Sequence, residues 1–255
     1  MKKLLLASLA ALATAAPALA ADMPVKSAPF AARFSWTGCF VGGHIGGAFA
    51  QKDITDPVQL VQDSFLGAGT TTGVTTVNPA PAGAVIGGQI GCDYEFPSSF
   101  VIGIEGSASG STTRGSKSAV LPLANPGESA LVQANTDFLA SLTGRVGYAF
   151  DNVLLYARGG AALAGDKFEV SGAFTGLPYD FRGLDNRFGW VVGGGVDWAF
   201  TRHWSANIEY DYYQFGHGNV LMSDGINGFS GLVDVKQNVQ VIKVGFNFHI
   251  WGDGW

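Results

Sequence analysis

Residues 238–251 read Asn-Val-Gln-Val-Ile-Lys-Val-Gly-Phe-Asn-Phe-His-Ile-Trp. In an extended chain Gln240, Ile242, Val244, Phe246, Phe248 and Ile250 share one face, and Val241, Lys243, Gly245, Asn247 and His249 share the other. The first face suits an apolar medium; the second is mostly small or polar. In 137–150, Phe138, Ala140, Leu142, Val146, Tyr148 and Phe150 oppose Leu139, Ser141, Thr143, Arg145 and Gly147. In 203–215, Trp204, Ala206, Ile208, Tyr210 and Tyr212 oppose Ser205, Asn207, Glu209, Asp211 and Tyr213. Working outward from these three gives eight alternating stretches: 36–50, 84–96, 100–110, 137–150, 153–167, 187–200, 203–215 and 238–251.

A soluble antiparallel sheet also alternates, with its apolar face turned into a core. Aromatic placement separates the two cases. Trp36, Phe96, Phe100, Phe150, Trp198, Phe200, Trp204 and Trp251 lie at one end of the stretches, and Phe49, Phe138, Phe168, Trp190, Tyr210, Tyr212 and Phe215 at the other. Two aromatic girdles imply two membrane faces. The connections alternate as well: 97–99, 151–152 and 201–202 are tight turns, whereas 51–83, 111–136, 168–186 and 216–237 are long and rich in Thr, Gly, Asp and Pro. The pattern predicts an all-β protein, an eight-stranded antiparallel up-and-down transmembrane β-barrel. Its short turns and both termini lie on the periplasmic side, and its four long loops are extracellular.

The start of the chain agrees. Met1-Lys2-Lys3 is a charged n-region, an apolar run follows to Ala16, and Ala18-Leu19-Ala20 is a small-x-small site, so 1–20 reads as a signal peptide cleaved between Ala20 and Ala21. The apolar run falls short of the ~20 residues of a spanning helix. Residues 21–35, with two prolines, one lysine and an arginine, read as a periplasmic lead-in, and 36–255 as the barrel. Without 1–20 the chain keeps 13 of its 15 Lys and Arg and all 20 Asp and Glu, a formal charge of −7. That balance argues against nucleic acid, whose phosphates are bound by cations. Charged residues are 14% of the chain and glycines number 37, which suits a curved sheet facing lipid better than a soluble helical domain.

Eight strands leave an interior about filled by their own side chains, so a wide pore is not expected. Glu105, Arg145, Arg158, Glu209 and Lys243 all fall on the inward face at similar distances from the periplasmic turns. They form a belt of opposite charges, with Glu105–Arg145 and Glu209–Lys243 as neighbouring pairs. A structural plug and a narrow ion or water pathway are both compatible with such a belt. Cys39 and Cys92 sit near the periplasmic ends of the first two stretches in the lipid-facing phase; a cross-strand disulfide and two separate apolar side chains both fit.

Nothing in the sequence reads as a catalytic, cofactor or metal site. His44, His203, His217 and His249 are scattered without ligand spacing. His217 lies near Glu209, Asp211 and Ser223, polar groups ordinary in an exposed loop. Gly42-Gly43-His44-Ile45-Gly46-Gly47 is followed by no helix pattern, which removes a nucleotide loop.

Residues 21–26, Ala-Asp-Met-Pro-Val-Lys, and the run Phe34-Ser35-Trp36-Thr37-Gly38-Cys39-Phe40-Val41-Gly42-Gly43 resemble the opening of the small outer-membrane immunogenic proteins of alphaproteobacteria, a porin-like family of eight-stranded barrels. The runs Leu142-Thr143-Gly144-Arg145-Val146-Gly147-Tyr148-Ala149, Leu155-Tyr156-Ala157-Arg158-Gly159-Gly160-Ala161-Ala162, Gly193-Gly194-Gly195-Val196 and Val241-Ile242-Lys243-Val244-Gly245-Phe246-Asn247-Phe248 extend the likeness over nearly the whole chain. One departure is Ile250, where such barrels usually carry a terminal aromatic, followed by Trp251 to Trp255. The resemblance implies a surface protein of the Gram-negative outer membrane and carries over no catalytic residue; a monomer is expected. Its expected partners are outer-membrane lipid and lipopolysaccharide, with periplasmic chaperones and the barrel-assembly machinery during biogenesis. The expected role is structural, with a narrow porin-like channel and loop-mediated ligand binding or adhesion as alternatives.

Overall fold

The computed structural model describes residues 34–67 and 76–250. The signal peptide with its Ala20–Ala21 cleavage, all but the end of the lead-in, and Trp251 to Trp255 lie outside the described residues. The elements are β1 (Gly38–Thr55), α1 (Pro57–Leu66), β2 (Thr76–Val77), β3 (Ala82–Glu95), β4 (Phe100–Val120), β5 (Ser129–Phe150), β6 (Val153–Phe174), β7 (Leu177–Ala199), β8 (Trp204–Asp224) and β9 (Ser230–His249). From β3 to β9 each strand pairs antiparallel with the next, β1 pairs with β3, and β1 also pairs with β9 from Phe40↔His249 to Thr55↔Asp234. The result is a closed antiparallel ring of eight strands; β2 is a two-residue addition on β1.

The outward residues of the lower half are those an apolar medium requires. Val41, Ile45, Ile86, Ile90, Ile102, Ile104, Leu142, Val146, Ile208, Ile242, Val244 and Phe246 are exposed on the outer wall. Tyr94, Phe100, Phe150, Trp198 and Trp204 ring its periplasmic edge, and Phe49, Phe138, Phe188 and Trp190 its upper edge. Three aromatics assigned to the girdles from sequence do not belong there: Trp36, Phe168 and Phe215 are buried inside the barrel. Trp36 folds under the lumen, its N–H donating to Glu95 Oε2 at 3.0 Å and its indole N–H to the Asp151 carbonyl at 3.3 Å.

The strands continue well past the lipid. β7 alone has 23 residues, where about 9–11 cross a membrane. Three of the long outer connections are therefore β-hairpins with short tips at 121–128, 175–176 and 225–229. Period-two patterning persists in these extensions with its sense reversed. Val132, Phe168, Val170, Phe181, Val220, Met222, Val233 and Val235 face in, whereas Lys167, Glu169, Arg182 and Asp234 face out. Outward Leu131, Leu184, Leu221 and Leu232 are interspersed with these polar residues, so no continuous apolar outer face marks the extensions as strands. Register shifts at Gly110/Thr113, Thr136/Phe138 and Gln214/His217 accompany the change.

The tips are tied to one another. Glu128, between β4 and β5, accepts N–H groups from Thr175 at 2.7 Å and Gly176 at 2.8 Å, and from Asn125 at 3.1 Å. Desolvation acts upward on its carboxyl but is outweighed by the donors from Gly176, Thr175 and Asn125, so its pKa lies below the ordinary 4.5. Because the folded value is depressed, the tie is complete at neutral pH and lost as pH falls through that value. Amide resonances of Thr175 and Gly176 are expected to titrate below pH about 4.5 and to stop doing so in Glu128→Gln. Near the periplasmic edge Cys39 and Cys92 are register partners on the lipid side, joined as a disulfide across β1 and β3. Unreduced folded protein is expected to resist alkylation and to gain two hydrogens in mass on reduction; two alkylated thiols before reduction would contradict the bond.

Candidate functional site in the lumen

Inward positions of neighbouring strands fall at matching heights, and their chemistry divides the lumen into layers. The floor is apolar: Trp36, Val101, Ala149, Leu154 and Ala199, with Phe34 packed against them. Above it Glu105 (β4), Arg145 (β5), Arg158 (β6), Glu209 (β8) and Lys243 (β9) converge into one buried network. Arg158 is its hub. Its Nη1 donates to Glu105 Oε1 and Glu209 Oε1, the latter at 2.7 Å, its Nη2 donates to Ser141 at 3.0 Å, and its Nε lies 3.4 Å from Asp211 Oδ1. Arg145 reaches Glu105 at 3.1 Å and Asp93 at 3.3 Å, its guanidinium 4.2 Å from the Tyr156 ring centre. Lys243 bridges Glu209 at 2.6 Å and Asp211 at 2.8 Å, and the Tyr156 hydroxyl donates to Glu209 at 2.7 Å.

The pairs Glu105–Arg145 and Glu209–Lys243 are both present, and the network is wider than the five residues that the periodicity singles out. Asp211 shares the polar phase of its strand and was legible there. Asp93 and Asp197 were missed; both are inward near the periplasmic ends, where alternation is interrupted by glycines. Glycine is required opposite two of these carboxylates, since a Cβ on Gly103 would collide with Asp93 Oδ1 and one on Gly193 with Asp211 Oδ1. A neutral chain completes the level. His44 bonds Gln89 at 2.8 Å and Ser109 at 2.7 Å, Gln89 donates to Asn247 at 2.6 Å, and Asn247 to Asp197 at 3.1 Å.

An apolar plate lies above, built from Ala48, Ala50, Val85, Leu139, Ala162, Ala164, Val191, Tyr213, Phe215, Val239 and Val241. A second polar level follows, which the sequence reading did not foresee. Lys52 Nζ is 2.7 Å from Asp166 Oδ1, which also accepts from Thr136 at 2.6 Å. Arg187 pairs with Asp185 at 2.6 Å and donates to the Val235 carbonyl at 2.6 Å. Lys52 and Arg187 both approach the Phe168 ring, at 4.8 and 5.6 Å from its centre. The top is the apolar core of the hairpin extensions, where Val58 and Val61 of α1 are buried and Phe65 lies 5.4 Å from Phe174 and 5.3 Å from Phe229. His217 is exposed and 3.0 Å from Asp234, while Glu209 and Asp211 are buried in the lumen, so Glu209, Asp211, His217 and Ser223, neighbours in sequence, do not form one cluster.

Comparison with known proteins places this architecture. Residues 4–248 match the family model described as outer membrane protein beta-barrel domain. The 31 kDa outer-membrane immunogenic protein of Brucella melitensis biotype 1 is 31% identical over 267 residues, covering 97% of this chain and 99% of its own. The protein of the same name from Brucella suis biovar 1 matches equally. Among solved structures, the outer membrane protein OprG from Pseudomonas aeruginosa is similar at 16% identity with a TM-score of 0.45, covering 84% of this chain and 97% of OprG. With a closed ring whose outer wall suits lipid, and with a family match spanning nearly its whole length, the chain belongs to the outer membrane protein β-barrel family and resides in the outer membrane.

Proposed function

We propose that the protein is a closed, structural outer-membrane barrel that contributes to envelope integrity and displays its hairpin extensions at the cell surface, where, like its immunogenic relatives, it is accessible to antibodies. The observation that carries this reading is the layering of the lumen. A conducted ion would have to cross the apolar floor, the central apolar plate and the core under α1, and in each it would lose its hydration without gaining a ligand. The charged groups between these layers pair with one another instead. Lipid and lipopolysaccharide are the natural contacts of the outer wall, and the seam closed between β1 and β9 leaves no strand edge in the membrane to drive association, in keeping with a monomer. A signal peptide ending at Ala20 and handling by periplasmic chaperones and the assembly machinery complete the proposed route.

Two measurements test it. The refolded protein in a planar bilayer is expected to give no stable conductance steps; steady openings that shift in size in Lys243→Met would favour a narrow pathway. Arg158→Met removes the hub and leaves Glu105, Glu209 and Asp211 short of a cation. Breaking a buried pair in this way costs about 3–5 kcal/mol. The heat-modified, compact electrophoretic form is therefore expected to convert to the unfolded form at a markedly lower temperature than in the parent protein.

A further inference from the structure

β3 and β4 keep one register from Glu95↔Val101 to Ala82↔Arg114. Continued upward, it would lay Ala80 beside Ser116 and Asn78 beside Ser118. The chain turns away instead. Pro79 and Pro81 have no N–H to give, and their carbonyls accept from β1, Pro81 from Ala50 at 2.8 Å and Pro79 from Lys52 at 3.3 Å. β2 then pairs with β1. Among the described residues no strand pairs with β4 above Arg114 on this side, while its other side stays bonded to β5 as far as Val120↔Ser129. Ser116, Lys117, Ser118 and Val120 are exposed. The Phe100 carbonyl accepts from Phe96 on the β3 side at 2.8 Å, and the inward–outward alternation of β4 is unbroken through Thr113. Ser116 and Ser118 share the phase of Phe100, so their backbone N–H and C=O groups face the gap.

The edge is also charged. Residues 111–120 contain Arg114 and Lys117 and no acid, in a chain of formal charge −5. Neither cation has an ion-pair partner among the described residues.

We propose that the β4 edge from Ser116 to Val120 is a docking site for an extended, acidic peptide segment of a partner protein, which adds to the sheet as a strand outside the cell. The backbone ladder supplies the attraction, and alternate side chains of the incoming strand supply selection. Edge lysines exclude uncharged strands, whose pairing would strip Lys117 of water with nothing in return; a carboxylate on the incoming strand offsets that loss.

The test uses the protein refolded in detergent and a fluorescein-labelled hexapeptide alternating glutamate with valine, followed by fluorescence anisotropy. Saturable binding is expected, weakened by about tenfold or more when alternate peptide amides are N-methylated, and similarly in Ser118→Pro or in the double variant Arg114→Gln/Lys117→Gln. Variants are compared only where the compact electrophoretic form persists; N-methylation asks the ladder question on the unaltered protein. Absence of saturable binding overturns the proposal. So does equal binding of the N-methylated peptide, which would mean charge attraction without a strand, or equal binding of a lysine–valine peptide. A concentration-dependent dimer that excludes the peptide would assign the edge to a second copy instead.

Discussion

The seam between β1 and β9 is the constraint on which the rest of the molecule depends. In hydrocarbon an unpaired backbone N–H or C=O finds no water, and each one costs several kcal/mol. Pairing from Phe40↔His249 to Thr55↔Asp234 removes two edges at once. Closure then dictates the interior, because a ring of eight strands must fill its lumen with side chains. Ladder hydrogen bonds hold only neighbours, and the lumen adds ties of longer reach: from β6 Arg158 reaches Glu105 on β4 and Glu209 on β8, and Arg145 on β5 reaches Asp93 on β3. These ties join strands that are not hydrogen-bonded to one another.

One rule, that apolar groups avoid water, produces opposite patterns at two heights. Within the membrane the outer wall meets lipid, and Ile104, Leu142 and Ile242 point out while Glu105, Thr143 and Lys243 point in. Above it the outer wall meets water, and Val170, Phe181 and Val233 point in while Glu169, Arg182 and Asp234 point out. The extracellular hairpins thus carry a hydrophobic core of their own, topped by α1. Polar and apolar plates alternate down the lumen because each buried polar group needs its partners at its own height.

Legibility in the sequence follows the same division. The lipid-facing half of every strand and the five-residue belt were readable, since period-two alternation sets the face and distance from a tight turn sets the height. Lys52, Asp166 and Arg187 stand where the alternation changes sense, so no single periodicity places them together. Asp93 has a short side chain whose place rests on room left by Gly103 across the sheet, a matter of register. For Cys39 and Cys92 the phase was readable and the register was not. The gap beside Ser116 is a feature of pairing, and only the prolines at 79 and 81 hint at it.

The composition of the central network explains how it tolerates its depth. Five carboxylates, on Asp93, Glu105, Asp197, Glu209 and Asp211, face three cations, on Arg145, Arg158 and Lys243. A carboxylate offers about four acceptor sites, so donors are the scarce component. Neutral groups make up part of the difference: the Tyr156 hydroxyl serves Glu209 and the Asn247 amide serves Asp197. Each cation meanwhile serves at least two acids, Arg145 Asp93 and Glu105, Lys243 Glu209 and Asp211, and Arg158 three. The two kinds of charge are therefore unequal in consequence. Loss of one acid leaves the others to share an unchanged set of donors, whereas loss of one cation takes donors from two or three buried acids at once, and Arg158, which serves the most, is the residue on which the lumen turns.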